Sequence, residues 1–555
     1  MAMIAGKHAF LELLRQEGVE YLFGNPGTTE LTLMDAYAVE KKPQYVLALH
    51  EGSAMGMAHG YAVATGKLAA VNLHAAPGLG NALGMLYNAK KAGAPILVTA
   101  GQHHNDIALA EPLLWDDLAV MARPYVKWST EVRSLEDLPR ALHRACKVAL
   151  TPPMGPVFLS LPDNVLSDSA DIDMMAPTRV GSGLRADASV IAHAAELIAA
   201  AKAPLIFAGD AVSKSFAHPE LVALAELIGA PVYCEAMADS ASFPASHPLF
   251  AGLVTRLGTA VQALSQQHDL VISIGGDLFT MSLPTGAEAF APGTRIVHLD
   301  VDPWELGKNF PTEAALLGDP KATLPELTAA IADRQADGDR KAASERRSTI
   351  GQASSQRRRA AVSKAQSLYG ASPIQPMALL HLIGEILPSN AVVVEEILSS
   401  NPGLRDLIIS DDPQSYYGLR GGGIGMALPQ AIGAKLAMPD RPVVALSGDG
   451  SALYSIQSLW TAMNRRLAIP FLIFNNRSYR ILKQRTNAIG DHAARTGHFE
   501  AMDLIDPMLD FTSLAKGWGM PAVRVETLHD VRAALPAALA SELPTLIDIA
   551  IDTRL

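Results

Sequence analysis

Cysteine is nearly absent from the sequence: Cys146 and Cys234 are the only two in 555 residues. This excludes a disulfide-stabilised scaffold and is typical of a reducing cytosol. Basic residues are not in excess, with 45 Lys and Arg against 56 Asp and Glu and a net charge of −11, so nucleic-acid binding is not expected. No apolar run approaches the ~20 residues of a membrane span, and the charged N-terminal segment does not predict a signal peptide. We expect a cytoplasmic protein without a membrane partner.

Apolar residues are plentiful, at 49% of the chain against 18% charged residues. Strand-like apolar runs alternate with helix-compatible segments, a pattern typical of parallel sheets covered by helices on both faces. We predict three doubly wound α/β domains over residues 1–170, 185–335 and 373–555. Residues 336–372 are rich in charge and poor in large apolar side chains, which predicts a solvated linker, helical in part, with the arginines at 357–359 on its surface.

The strongest chemical signal lies in the third predicted domain. A buried strand at residues 443–446 leads into a Gly-Asp-Gly turn around Asp449, and a second strand at 469–474 ends in an Asn-Asn pair that includes Asn476. The carboxyl ends of parallel strands meet at one sheet edge, where open α/β sheets bind ligands. Carboxylate and amide oxygens suit Mg²⁺, which also binds phosphate oxygens. The predicted phosphate contacts are Gly448, Gly450 and the backbone around Ser451.

This pattern resembles the thiamine diphosphate motif of the thiamine-diphosphate-dependent decarboxylases and carboligases. The resemblance extends over the whole chain, in the order pyrimidine-binding, middle and diphosphate-binding domain. It implies thiamine diphosphate and Mg²⁺ as cofactors, with Asp449, Asn476 and the backbone carbonyl of Ser478 as metal ligands. The further cofactor contacts that it implies are the carbonyl near Gly422, Ile424 between the cofactor's rings, Ser399 at the diphosphate, and Tyr479.

Three strand ends in the first domain carry candidate catalytic residues: Thr28 in an Asn-Pro-Gly turn, Glu51 and His74. Taken alone, Glu51 is better explained as an acidic residue in the first turn of a helix, and the turn at Thr28 needs no function; the Gly-Asp-Gly and Asn-Asn motifs reverse the preference for Glu51. The motifs NPGT, ALHE and NLH most closely resemble those of the benzoylformate decarboxylase group. That resemblance implies that Glu51 activates the cofactor's pyrimidine ring, that His74 transfers protons and that Thr28 contacts the substrate carboxylate.

The match to that group breaks at two places. Its second active-site histidine has no counterpart in residues 275–282, and His103 or His104 could replace it, although a solvated pair is as consistent. Arg480 and Arg485 stand near positions where the group has Gly and Phe. They could bind an anionic substrate group, but we favour a position at solvent or at an interface. The remaining pocket candidates are Leu113 and Leu114, which could equally pack in a core, and Ile481.

The implied reaction is decarboxylation of a 2-oxo acid, with the resulting enamine protonated to an aldehyde or ligated to a second carbonyl. The alternative is an acetolactate synthase-like carboligase using pyruvate, favoured by the missing histidine. A 2-hydroxyacyl-CoA lyase is less favoured because no basic C-terminal tail follows. FAD is possible but not predicted, since the middle domain has no glycine-rich dinucleotide fingerprint. In this family Glu51 and Asp449 would act from different subunits, so we expect a homodimer as the minimum active unit and a homotetramer as the assembly.

Overall fold

The computed structural model describes residues 3–278, 280–281 and 286–555. Three six-stranded sheets built on parallel pairs form the cores, which confirms the predicted fold class. The chain forms two compact units. The first contains the residues up to Val180 together with Val394–Ser399 and Leu419–Leu555, and the second contains Gly181–Val393 and Ser400–Gly418.

The first sheet belongs to the N-terminal part of the first unit and has the strand order β3-β2-β4-β5-β7-β6. Its central strands β4 and β5 are buried along their length, as expected for a sheet covered on both faces. A small antiparallel pair, β1 with β8, lies apart from it. The strands are β1 (Ile4–Ala5), β2 (Tyr21–Gly24), β3 (Gln44–Leu47), β4 (Ala69–His74), β5 (Ile96–Gln102), β6 (Ser129–Glu131), β7 (Val157–Pro162) and β8 (Ser169–Ala170). The helices are α1 (Gly6–Gln16), α2 (Leu31–Val39), α3 (Glu51–Thr65), α4 (Ala75–Lys91), α5 (Leu118–Ala122), α6 (Leu138–Leu150) and α7 (Asp163–Ser167).

The middle sheet lies in the second unit and has the order β11-β10-β9-β12-β13-β14. Its apolar core includes Ile206, Ile272 and Val297, which are fully buried. The strands are β9 (Pro204–Ala208), β10 (Val232–Glu235), β11 (Phe250–Val254), β12 (Leu270–Ile274), β13 (Arg295–Asp300) and β14 (Ala314–Leu317). The helices are α8 (Ala188–Ala200), α9 (Asp210–Lys214), α10 (His218–Ile228), α11 (Gly258–Ser265), α12 (Pro320–Ala332), α13 (Asp337–Ser367), α14 (Pro376–Ile386) and α15 (Leu404–Leu407).

The third sheet has the order β16-β15-β17-β18-β20-β19. Strands β17 and β18 are adjacent and parallel, with Ala445 opposite Phe471 and Gly448 opposite Phe474. The two predicted cofactor motifs therefore do end at one sheet edge. The strands are β15 (Val392–Glu396), β16 (Tyr416–Tyr417), β17 (Val443–Gly448), β18 (Pro470–Asn475), β19 (Ala522–Val525) and β20 (Thr545–Ala550). The helices are α16 (Ala427–Ala437), α17 (Asp449–Ala452), α18 (Ser458–Asn464), α19 (Arg480–Ile489), α20 (His492–Thr496), α21 (Phe511–Gly517) and α22 (Leu528–Leu539).

The segment predicted as a solvated linker contains a single 31-residue helix, α13. Its buried residues Ala343, Ser354 and Ala365 lie about three turns apart and so share one face. The prediction that the arginines at 357–359 lie on the surface holds for Arg359, which is exposed, but is wrong for Arg357 and Arg358, which are half-buried. Arg357 donates to both Asp406 (3.0 Å) and the Phe250 carbonyl (3.1 Å). The small buried residues let α13 pack closely against its neighbours, and its long arginine side chains donate hydrogen bonds to backbone carbonyls there. The segment therefore packs without large apolar side chains.

Helices α3 and α16 hold the two sheets of the first unit together by backbone contact. A Cβ added at Gly60 would lie 2.2 Å from the Gln430 carbonyl oxygen, and one added at Gly433 would lie 2.0 Å from the Met57 carbonyl oxygen. Only residues without a side chain allow this approach. Helix α3 begins at Glu51, and α16 begins directly after the glycine-rich loop, so the contact connects two segments with predicted cofactor contacts.

Candidate functional site

Glu51 is the first residue of α3 and is only 8% exposed. The preceding His50 caps the helix by accepting the Gly52 amide at Nδ1 (3.0 Å). Asn81, on α4, donates from Nδ2 to Oε2 of Glu51 at 3.1 Å. The carboxyl group is thus buried just after β3, with one oxygen held by an amide.

His74 ends β4 and belongs to a compact polar group. Its Nδ1 lies 3.0 Å from Oε2 of Glu30 and 2.9 Å from Oγ1 of Thr29. Glu30 is buried and also accepts the backbone amide of Gly101 at 3.0 Å; burial raises the pKa of the Glu30 carboxyl. A carboxylate at Nδ1 leaves Nε2 as the ring nitrogen that can serve a ligand.

Thr28, predicted to contact substrate, is exposed, whereas its neighbour Thr29 is buried and makes the contact with His74. The two threonines are adjacent in the turn, and the sequence alone does not distinguish them. Glu30 was missed in the same turn. The only signal in the sequence is that Glu30 is an acidic residue in a turn after one strand, while His74 ends another; their contact is a tertiary one.

The two adjacent histidines in the loop after β5 have different surroundings. His104 accepts the Asp106 amide at Nδ1 (3.2 Å) and so caps a short 3-10 helix, Asn105–Ala110. His103 is half-buried, and its Nε2 has no hydrogen-bond partner among the described residues. Leu113 is 84% exposed in the chain, and Leu114 is half-buried with a φ of 74°. His104 is therefore engaged at Nδ1 in a helix cap, whereas His103 carries a buried ring nitrogen without a partner among the described residues.

Asp449 begins the short helix α17 and is 1% exposed. Burial raises the pKa of its carboxyl to about 6, although the backbone amides of Gly450, Arg477 and Ser478 favour the charged form. Its Oδ2 is buried and accepts no hydrogen bond from the described residues. A buried carboxylate oxygen without a partner is costly, and a bound cation would satisfy it.

Asn476 and Ser478 lie in the turn after β18. The Oδ1 of Asn476 accepts both the backbone amide (3.1 Å) and the hydroxyl (3.0 Å) of Ser478, so metal binding at this oxygen requires the Ser478 hydroxyl to rotate away. The preceding Asn475 is anchored by Asp548 at 2.9 Å. The turn lies next to Asp449, since the backbone amides of Arg477 and Ser478 interact with that carboxylate. The residues predicted as metal ligands therefore lie near one another, and their role as ligands stays a prediction.

Tyr479 packs over Gly450. A Cβ added at Gly450 would lie 2.6 Å from the tyrosine ring, whereas one added at Gly448 would meet nothing closer than 3.7 Å. The two glycines of the Gly-Asp-Gly turn thus have different roles: Gly450 is required by the protein's own packing, and Gly448 is open in the structure. Ser451, also in this turn, is buried.

The glycine-rich loop that carries Gly422 and Ile424 is held by two residues that the sequence did not indicate. Asn88 of α4 donates to the Gly423 carbonyl (2.7 Å) and accepts its amide (3.0 Å). Glu396, at the end of β15, accepts the amides of Gly425 (2.6 Å) and Ala427 (2.8 Å). Burial raises the pKa of Glu396 to about 7. Ile424 is half-buried and Gly422 is exposed on this fixed loop.

Arg480 is buried, contrary to the position at solvent or at an interface that we favoured. It is 5% exposed and donates to the backbone carbonyls of Ser399 (2.9 Å) and Asp552 (2.7 Å). The sequence pattern favours an exposed arginine at the start of a helix; its side chain instead turns inward and donates to backbone carbonyls in the loops after β15 and β20. Arg485 and Ile481, further along α19, are half-buried.

Three family models match the chain in order. They describe the N-terminal TPP binding domain of thiamine pyrophosphate enzymes (residues 4–117), their central domain (191–327) and their C-terminal TPP binding domain (405–549). Benzoylformate decarboxylase of Pseudomonas aeruginosa is 31% identical over 549 residues, which cover 98% of each chain. The chain belongs to the thiamine pyrophosphate enzyme family.

Other members of the family are similar at nearly the same level. Acetolactate synthase of Mycobacterium bovis is 29% identical over 560 residues, covering 99% of this chain and 88% of that one. The crystal structure of benzoylformate decarboxylase from Polynucleobacter necessarius is 30% identical, with a TM-score of 0.88 and 99% coverage of both chains. The predicted resemblance is thus confirmed, and the chain carries the family's two thiamine pyrophosphate-binding domains. In the described part of the chain, no helix is both long and apolar enough to span a membrane.

Substitution of Gly450 with alanine should destabilise the protein even without cofactor, because the new methyl group collides with Tyr479. We expect a loss of about 1–3 kcal/mol, as is usual for overpacking, measured as a lower melting temperature. Gly448→Ala is the matched control, since its methyl group has room. Equal melting temperatures for the two variants would show that the tyrosine contact is not a constraint.

The pH dependence of stability should reveal Glu396. Its pKa rises from 4.5 to about 7 on folding, so the folded state binds this proton more tightly and stability is lost as the pH rises from about 4.5 through 7. The full change corresponds to about 3 kcal/mol. Melting temperatures from pH 5 to 8 should fall more steeply for wild type than for Glu396→Gln, while the exposed Glu542→Gln should follow wild type. Parallel curves for wild type and Glu396→Gln would contradict the assignment.

Proposed function

We propose that this protein is a thiamine diphosphate- and Mg²⁺-dependent 2-oxo acid decarboxylase of the benzoylformate decarboxylase type. The observation that carries the proposal is the group at the end of β4, where Glu30 and Thr29 hold Nδ1 of His74. Protonation of the carbon that loses CO₂ requires a positioned acid, and His74 offers Nε2 for that role. The 31% identity to a benzoylformate decarboxylase over nearly the full chain supports the same reaction.

The residues present fit the cofactor. Asp449 provides a buried carboxylate oxygen that has no hydrogen-bond partner among the described residues, and Asn476 and the Ser478 carbonyl lie in the adjacent turn; we propose these three as the Mg²⁺ ligands. Thiamine diphosphate, when bound, supplies a nucleophilic carbon and an acceptor for the electron pair released with CO₂. The Gly422 carbonyl and Ile424 would face its pyrimidine and thiazolium rings, and Ser399, Ser451 and Tyr479 would line its diphosphate end.

Glu51 holds a proton at the cofactor's pyrimidine ring in this proposal. Asn81 occupies its Oε2, which leaves Oε1 for the ligand. His74 transfers a proton to or from the substrate carbon, and the Asn-Pro-Gly turn with Thr28 and Thr29 contacts the substrate carboxylate. Leu113 and Leu114 provide an apolar wall that suits a large, uncharged 2-oxo acid side chain.

A carboligase of the acetolactate synthase kind is the second candidate. Residues 275–282 contain no histidine; Phe279 and Ser282 of this stretch lie outside the described residues. His298, on the neighbouring strand β13, is fully buried and bonds to the Gly276 carbonyl at 2.7 Å, so it does not substitute as an accessible proton donor. With fewer proton donors, transfer of the substrate carbon to a second carbonyl compound is favoured over its protonation to an aldehyde. For either reaction we propose a cytoplasmic homodimer as the minimum active unit and a homotetramer as the assembly.

Replacing Glu51 with glutamine should reduce turnover by at least about 100-fold, the usual contribution of a positioned acid or base, while thiamine diphosphate still binds. The reason is that the amide keeps the size of the side chain but cannot exchange its proton. Steady-state rates and cofactor titration by tryptophan fluorescence measure the two effects, and the exposed Glu136→Gln is the control. Wild-type turnover in Glu51→Gln would rule out its role.

A substrate panel tests the reaction itself. We expect CO₂ and an aldehyde from an aromatic or branched 2-oxo acid when the protein is supplied with thiamine diphosphate and Mg²⁺, with products identified by mass spectrometry. The panel runs from pyruvate through branched and aromatic acids to dicarboxylic acids. Acetolactate or another acyloin from pyruvate, with little aldehyde from any acid, would favour the carboligase instead.

A further inference from the structure

Four neighbouring strands of the third sheet end in loops that surround the metal motif. The sheet order places β15, β17, β18 and β20 side by side. Ser399 follows β15, Asp449 follows β17, Asn476 follows β18 and Asp552 follows β20. Neighbouring strands lie about 4.8 Å apart, so β15 and β20 lie about 14 Å apart on opposite sides of the two strands that lead to the proposed metal ligands. The loops with Ser399 and Asp552 must converge for one side chain to contact both.

Arg480 spans these two outer loops. Its Nη2 donates to the Ser399 carbonyl at 2.9 Å, and its Nη1 donates to the Asp552 carbonyl at 2.7 Å. The side chain is 5% exposed, and the carboxylates of Asp552 and Asp449 interact favourably with its charge. A planar guanidinium can serve two carbonyls in fixed directions, which a lysine ammonium on a flexible chain does not do as well.

The contacts of Arg480 also affect Ser399, which is proposed to line the diphosphate end of the cofactor. Its Nε approaches the Ser399 hydroxyl at 3.4 Å; a hydroxyl oxygen that accepts a hydrogen bond keeps its own proton to donate. On the other side, the Ile551 amide donates to the Asn475 carbonyl at 3.1 Å, which places the C-terminal segment directly beside the Asn-Asn turn. Arg480 therefore holds both segments that flank the metal motif: the loop after β15 and the C-terminal segment after β20.

We propose that Arg480 is a positioning residue of the diphosphate site: by bridging the loops after β15 and β20, it orients the Ser399 hydroxyl and holds the C-terminal segment around the loops of Asp449 and Asn476. The inference rests on the proposed function, because it requires that a diphosphate binds here.

The test compares thiamine diphosphate with thiamine monophosphate as ligands in the presence of Mg²⁺. Arg480→Met should weaken binding of the diphosphate by about 10- to 100-fold, as is usual when a charged hydrogen-bond network is lost, and should change monophosphate binding much less. The diphosphate affinity of Arg480→Lys should lie between those of wild type and Arg480→Met, since lysine keeps the charge but not the planar guanidinium with its two donor groups. Isothermal titration calorimetry on the full-length protein gives both affinities without requiring turnover. Arg495→Met, an exposed arginine in the same domain, is the control.

A double-mutant cycle identifies the route of the effect. Ser399→Ala removes the hydroxyl but keeps the carbonyl, so its effect on diphosphate affinity should not add to that of Arg480→Met if the arginine acts through this hydroxyl. Melting temperatures separate this from a general loss of structure, and Arg480→Lys serves if the methionine variant does not fold. An unchanged preference for the diphosphate over the monophosphate in the Arg480 variants would overturn the inference alone. Failure of the wild-type protein to bind thiamine diphosphate would overturn the proposed function and the inference together.

Discussion

The backbone contact between α3 and α16 is the constraint on which the rest of the site depends. Gly60 and Gly433 allow each helix to approach the main chain of the other, which a larger residue would prevent by steric collision. Each helix starts at a functional segment, α3 at Glu51 and α16 just after the glycine-rich loop. The close approach of the two helices therefore sets where both segments lie within the first unit.

Helix α4 adds a second connection between the same segments. Asn81 and Asn88, two turns apart on one face, hold the Glu51 carboxyl and the Gly423 peptide respectively. Both asparagines satisfy polar groups that are withdrawn from water, where an unpaired donor or acceptor would be costly. One helix thus positions both the Glu51 carboxyl and the glycine-rich loop within one chain; in the proposed homodimer the two would serve different cofactor sites, because Glu51 acts with the diphosphate-binding domain of the partner subunit.

Buried carboxyl groups recur at the strand ends and fall into two kinds. Glu30 and Glu396 are surrounded by donors from the protein itself, so their role is to hold a histidine and a loop in place. Asp449 has an oxygen for which the described residues provide no donor. This difference distinguishes a structural acid from one that is ready for a ligand, and it explains why the metal motif is expected to bind a cation.

Much of this protein was determined by its sequence alone. Alternating strands and helices predicted the three parallel sheets, and the Gly-Asp-Gly and Asn-Asn spacing predicted that Asp449 and Asn476 would share a sheet edge, because these patterns are local and parallel strands align their carboxyl ends. Only the tertiary structure decided that Thr29 rather than Thr28 contacts His74, that Asn81, Asn88 and Glu396 support the site, and that Arg480 turns inward. Each of these depends on which polar groups in distant parts of the chain lack a hydrogen-bond partner, and no periodicity in the sequence indicates that. The same holds for α13. Its charged sequence predicts solvent exposure, and only the tertiary structure shows the backbone carbonyls to which its arginines donate.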